Sequence, residues 1–372
     1  MEKQEKKPLS QRYEVGLMVV SVIIVAALVA GISIFPAKGK EVAAAAMHMM
    51  TYTFGSTMQF ITVIILIFLV ALGFSKYGSI RLGKEKPDYK TSSWVAMMFF
   101  TGLGAGTVYW AFLEWGYHFN AAPQLEGTVV TEAYAYELSL AYAMFDWGPA
   151  AWALLCIFVL PFAYHYYVKN DKELRFSALC KYTVGDKAVK GLFGKVVDFI
   201  FIFAAIGSIC ITAGTSTSTV ASAVADLLGI SPSFALSVII LLGVSAVLQT
   251  LPFPKFAILL YLVVIILFLA TTLDSCSYTL ASTVSKGLKE GEEPKRGLKF
   301  VWCLIGVAIP LAITFAGTDI NTIKSVVLAT GLPLVIILAI IYYGFLREMK
   351  KDFGRKTQDQ IIAESELPEN AW

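Results

Sequence analysis

Three short stretches carry the residue types that could do chemistry. "TGLGAGTVYWAFLEWGYHF" places Gly102, Gly104 and Gly106 at every second position, followed by Trp110, Glu114, Trp115 and His118. "AMFDWGPAAWALLCIFVLPFAYHYY" brings Asp146 beside Trp147, Gly148 and Pro149, with Trp152 five residues after Trp147. "LFLATTLDSCSYTLAS" clusters Thr271, Thr272, Asp274, Ser275 and Ser277. Nothing in these stretches suggests bond making; the chemistry they suggest is the holding of cations. Indole faces carry negative potential and attract a quaternary ammonium, which has no N–H for ordinary hydrogen bonding. A helix turn opened at glycines presents carbonyl oxygens, and two adjacent hydroxyls opposite them would complete an oxygen-rich site for a hard cation such as sodium.

Each stretch also has a plainer reading. Glycines allow close helix packing, although spacing two is not the four-residue stripe that packing uses. Tryptophans gather at membrane interfaces. Serine and threonine hydroxyls bond back to their own helix carbonyls. Against this, an acidic residue at membrane depth is expensive and points to function.

The elements that must position these residues are membrane helices. The 372 residues are 57% hydrophobic and 15% charged, with a mean hydropathy of +0.69, far too apolar for an ordinary soluble domain. Apolar stretches of about 20 residues or more, long enough to span, lie at about 13–35, 56–75, 93–115, 138–168, 193–225, 254–285, 298–317 and 324–346. The first is too long for a signal-peptide core and is expected to remain as a span. The reading is an all-α polytopic membrane bundle with cytoplasmic tails at 1–12 and 348–372 around a transmembrane domain at 13–347.

Short cytoplasmic loops retain Lys and Arg. The N-terminus (Lys3, Lys6, Lys7, Arg12), the loop with Lys76, Arg81 and Lys84, the loop from 169 to 195 and the loop with Lys286, Lys295 and Lys299 all belong inside, whereas 120–137 contains no Lys or Arg and belongs outside. Both termini are expected in the cytoplasm. An odd number of crossings must separate Asp226 from Lys286, so the short apolar segment 234–250 fits as lying in or on the outer face.

The function classes that can be set aside follow from composition and spacing. A net charge of +3 adds no case for a nucleic-acid partner. Cys156, Cys180, Cys210, Cys276 and Cys303 are scattered without a CxxC, so no disulfide framework and no transition-metal site is expected. His48, His118 and His165 stand far apart with no HExxH, and no enzyme is expected.

Together the motifs resemble the betaine/choline/carnitine transporter family. The resemblance rests on "MMFFTGLGAGTVYWAFLEWGYHF", "LSLAYAMFDWGPAAWA" with "LRFSALCKYTVGD" after it, and "TTLDSCSYTLAS" with "GEEP" after it; "SSWVAMMF", "KGLFG" and "CSYTLA" are closest to the carnitine branch. It implies an inverted-repeat fold of the amino-acid-transporter type, a homotrimer in the plasma (inner) membrane, and alternating access around a midplane site for glycine betaine, carnitine or choline. By position it implies substrate contacts at Trp147, Trp152 and Tyr117, with Trp110 as neighbour. It further implies sodium held by the carbonyls of Phe100 and Leu103 and the hydroxyls of Thr271 and Thr272, with no other cofactor. The retained glycine triplet matches the sodium-coupled members of the family rather than its ion-independent exchangers.

Two departures stand out. Asp146 replaces a histidine common in the family, as either a counter-charge for substrate or a local hydrogen-bonding group. Between "LSVIILLGVSAV" and "LQTLPFPKF" the family carries several more helices, one with a WWxxWxP motif that supplies the other half of the aromatic cage; this chain has neither. A shortened fold is therefore expected, either as a transporter or as a binding-only or inactive protein that associates with a full-length partner.

Overall fold

Lipid offers no hydrogen bonds, so a chain this apolar must satisfy its backbone internally. Among the described residues it does so with helices alone. The computed structural model describes residues 12–83, 89–102, 105–228, 251–286, 288, 292–315, 325, 327, 328 and 330–365. The helices, in chain order, are α1 (Val15–Ile34), α2 (Pro36–His48), α3 (Gly55–Phe74), α4 (Thr91–Gly102), α5 (Ala105–Glu126), α6 (Glu132–Asp146) and α7 (Pro149–Ala163). They continue with the short α8 (Lys181–Val184) and α9 (Asp186–Lys190), then α10 (Leu192–Leu228), α11 (Pro254–Val284), α12 (Arg296–Phe315), α13 (Gly331–Phe353) and α14 (Gln358–Ser365).

Among the described residues, six stretches are long and apolar enough to cross a membrane: Val15–Ile32, Gly55–Phe74, Glu132–Val168, Leu192–Thr212, Pro254–Val284 and Gly331–Phe353. The protein is an all-α, multi-pass membrane bundle. The expected spans differ in two places. The stretch 138–168 is broken between α6 and α7, and 324–346 shifts to α13, while 93–115 corresponds to α4 and α5 with 103–104 outside the described residues. The stretch 298–317 corresponds to α12, with 316–317 outside the described residues. Segment 234–250 lies outside the described residues. Just beyond it Phe253 adopts a left-handed backbone (φ 61°) and Pro254, which needs no amide partner, opens α11.

Prolines and polar caps set several helix boundaries. Pro36 starts α2 directly after α1, and Thr131 caps α6 by accepting from the amide of Tyr134 at 3.3 Å. Gly127 (φ 66°) makes the turn that folds α6 back along α5.

Trp302 of α12 is fully buried at the centre of one packed cluster, among Val25 of α1, Ile206 of α10 and Leu280 of α11. A second cluster joins Ile65 of α3, Ile157 of α7 and Phe345 of α13. Leu113 of α5 packs against Ala223 of α10 and against Tyr261 and Ile265 of α11. Close approach of α12 to α10 requires Gly306, where a Cβ would sit 2.8 Å from Ile209 Cγ2.

The basic segments that the charge pattern assigns to one side do meet at one end of the bundle. Glu14 donates its amide to Val284 O at 2.8 Å, and Lys286 donates its amide to Arg12 O at 2.8 Å. Glu14 also faces Lys286 Nζ at 3.4 Å and Arg175 at 4.0 Å. Asp198, fully buried, accepts from Arg175 at 2.7 and 3.0 Å and from the amide and hydroxyl of Ser177 at 2.8 and 2.9 Å. At the same end Lys169 bridges Glu348 and Asp352, and Lys76 donates to the carbonyls of Gly354 and Lys356. Burial opposes the charge on Arg175, but the carboxylate of Asp198 outweighs it and raises its pKa. Burial pushes the Cys180 thiol up to about 12, which leaves it protonated and unreactive at neutral pH.

Candidate functional site

On α5, Trp110, Glu114, Tyr117 and His118 follow the i, i+4, i+7, i+8 spacing that lines one helix face. This face meets the end of α6. Trp147 Nε1 donates to Glu114 Oε2, and His118 Nε2 lies 3.0 Å from Asp146 Oδ2. His118 also stacks on Tyr142 of α6 with ring centroids 5.4 Å apart. Trp110 and Tyr117 contact each other, with centroids at 5.7 Å and planes tilted by 56°.

The break after Asp146 follows from its sequence. Trp147 is the cap of α6, Gly148 is extended, and Pro149 occupies the first turn of α7. A Cβ at Gly148 would lie 2.9 Å from Phe145 O, so the close turn needs glycine. Across the break Trp152 Nε1 donates to Trp147 O at 2.9 Å. Trp147 and Trp152 are 38% and 41% exposed, which leaves ring surface available to a ligand. Trp152 additionally lines an apolar cavity of about 580 Å³ with Leu66 and Leu69 of α3, Ala153 of α7 and Phe345 of α13.

The expected cation-site residues are only partly placed. Phe100 and Gly102 belong to the backbone of α4 and Gly106 to that of α5, whereas Leu103 and Gly104, and with them the expected opened turn, lie outside the described residues. Thr271 and Thr272 both bond back to Phe268 O, at 2.9 and 2.8 Å. Phe268 is itself packed against the Leu113 cluster, so the two hydroxyls lie one turn from the contact of α11 with α5.

The structure thus joins Trp147 to Trp152 and Trp110 to Tyr117, and adds two residues to which the sequence assigns no role, Glu114 and His118. Their i, i+4 spacing on an otherwise apolar helix was the available signal. Asp146, open between two readings, has a partner in His118.

A helical bundle of this kind, with indoles and carboxylates gathered at a helix break, has the build of a membrane transporter. The family model described as BCCT, betaine/carnitine/choline family transporter, matches residues 16–248 and 242–354, and the chain belongs to that family. It is 24% identical over 453 residues to the protein named "Uncharacterized transporter YeaV" of Escherichia coli (strain K12), covering 79% of this chain and 92% of that protein. It is 22% identical over 510 residues to a "Carnitine transporter" of Acinetobacter baumannii (strain ATCC 19606), covering 95% of this chain and 92% of that one. Both alignments are longer than the 372 residues of this chain, so these relatives carry residues without a counterpart here. The two family matches meet at 242–248, next to the position where the motif order points to missing helices.

Proposed function

We propose that this protein is a secondary transporter for a quaternary ammonium compound of the glycine betaine, carnitine or choline type, coupled to sodium and working by alternating access. The observation that carries the reading is the bond from Trp147 Nε1 to Glu114, which holds an indole beside a carboxylate at a helix break. Ring face and carboxylate both attract a trimethylammonium group, and each cation–π contact contributes about 0.5–2 kcal/mol depending on desolvation. The relative named a carnitine transporter supports carnitine as the first substrate to test. Family membership further supports a trimer in the plasma membrane, and the basic segments clustered at one end support both termini in the cytoplasm.

In the sodium site of this reading, the hydroxyls of Thr271 and Thr272 turn from Phe268 O toward an ion shared with carbonyls at Phe100 and Leu103. Uptake of labelled carnitine and betaine into proteoliposomes, with and without a sodium gradient, tests all of this. Uptake by the wild type that is lost in Trp147→Ala, and whose sodium dependence is lost in Thr271→Val/Thr272→Val, is the expected result. Binding without uptake would instead make the shortened chain a receptor for the same ligand.

A further inference from the structure

Glu114, His118 and Asp146 each offer one ligand atom, and the three atoms lie within 4.8 Å of one another. Glu114 and His118 come from successive turns of one face of α5, and Asp146 from the last position of α6, 28 residues beyond His118 in sequence. We propose that these three residues form a site for a divalent transition metal of the zinc class, bridging the two helices.

The donor set suits such an ion. One imidazole nitrogen and two carboxylate oxygens balance a 2+ charge and leave a fourth position for water, as at three-ligand zinc sites. Calcium and magnesium prefer sites made of oxygen alone, so the imidazole favours the softer metals. With bonds of about 2.0–2.2 Å to each ligand, tetrahedral zinc holds its donors roughly 3.4 Å apart. The His118–Asp146 pair, at 3.0 Å, is already inside that limit, and an ion would take the place of the proton shared between them. Glu114 then has to close by roughly 1 Å, which is within the reach of a side-chain rotation.

The surroundings favour ligation. Trp147 Nε1 donates to Oε2 of Glu114 and leaves Oε1 for the metal, while Tyr142 stacks on the ring of His118. Hydrogen-bonded carboxylates and oriented imidazoles are the supporting contacts that metal ligands usually have. His118 and Asp146 are 20% and 41% exposed, so neither side chain is sealed inside the bundle. The result is a clamp between α5 and α6 that shares Glu114 with the substrate site proposed above.

Zn2+ binding to the purified full-length protein in detergent, followed by titration calorimetry and by the visible spectrum of substituted Co2+, tests the site without any transport measurement. One Zn2+ per chain is expected, weakened at least about tenfold in His118→Ala and in Asp146→Asn and unchanged in His48→Ala, which removes an exposed histidine of α2. Glu114→Gln retains an oxygen for the indole and serves as the third ligand variant should either of the others aggregate. Absence of saturable Zn2+ binding by the wild type, or binding undiminished in the folded ligand variants, overturns the proposal.

Discussion

The indole N–H of Trp152 donates to the main-chain carbonyl of Trp147 at 2.9 Å and so ties two tryptophans together across the gap between α6 and α7. The amide of Ala151, which an unbroken helix would direct at that carbonyl, donates instead to Gly148 O at 3.1 Å, so the indole satisfies a carbonyl left over by the break. Trp152→Phe keeps a ring but removes the donor. The expected loss is about 1 kcal/mol, read as a fall in the melting temperature of the detergent-solubilised protein.

Glu114 contributes both charge and orientation to Trp147. Glu114→Gln keeps an acceptor for the indole and removes the charge, whereas Trp147→Ala removes the ring. Loss of one cation–π contact of about 0.5–2 kcal/mol corresponds to a roughly 2- to 30-fold weaker affinity. Equilibrium binding of radiolabelled carnitine should show a loss in this range for Trp147→Ala and a smaller one for Glu114→Gln.

Asp198 is the buried acceptor for Arg175 and for the amide and hydroxyl of Ser177. Removing one partner of such a pair strands the other charge, at a cost on the order of 3–5 kcal/mol. Asp198→Ala is therefore expected to lower thermal stability far more than an exposed substitution in the loop that carries Arg175. Glu173→Ala, at an exposed acid 3.7 Å from Arg175, is the matched control.

Lys169 lies just beyond a membrane span, 3.0 Å from Glu348 and 2.8 Å from Asp352. Burial alone would lower the pKa of its ammonium, but hydrogen bonds to the two carboxylates outweigh burial and raise it. Folding therefore favours the protonated form. The stabilisation is complete below the ordinary lysine value of about 10.4 and is lost as pH rises through the higher folded-state value. Lys169→Met should melt earlier than the wild type at neutral pH, and the difference should narrow in strongly alkaline buffer.

Much of the architecture was legible because lipid makes simple demands. A mean hydropathy of +0.69 selects a bilayer, and a bilayer selects helices. The break between α6 and α7 falls inside the expected span 138–168, at Gly148 and Pro149, since one permits a close turn and the other cannot continue a hydrogen-bond ladder. The basic segments around Arg12, Lys76, Lys169 and Lys286 were assigned to one side by charge alone, and they converge at one end of the bundle.

What the sequence by itself determined is the solvent, the helices and the family, because hydropathy, proline and the spacing of motifs act locally. Pairing across helices was decided only by the tertiary structure. Asp146 could have been a counter-charge for substrate or a local hydrogen-bonding group, and Tyr13 carried no sign that it would bridge Ser285. A buried or membrane-embedded polar group must find a partner. Which partner it finds depends on how far one helix slides and rotates against the next, and that register is set by the packing of the whole bundle.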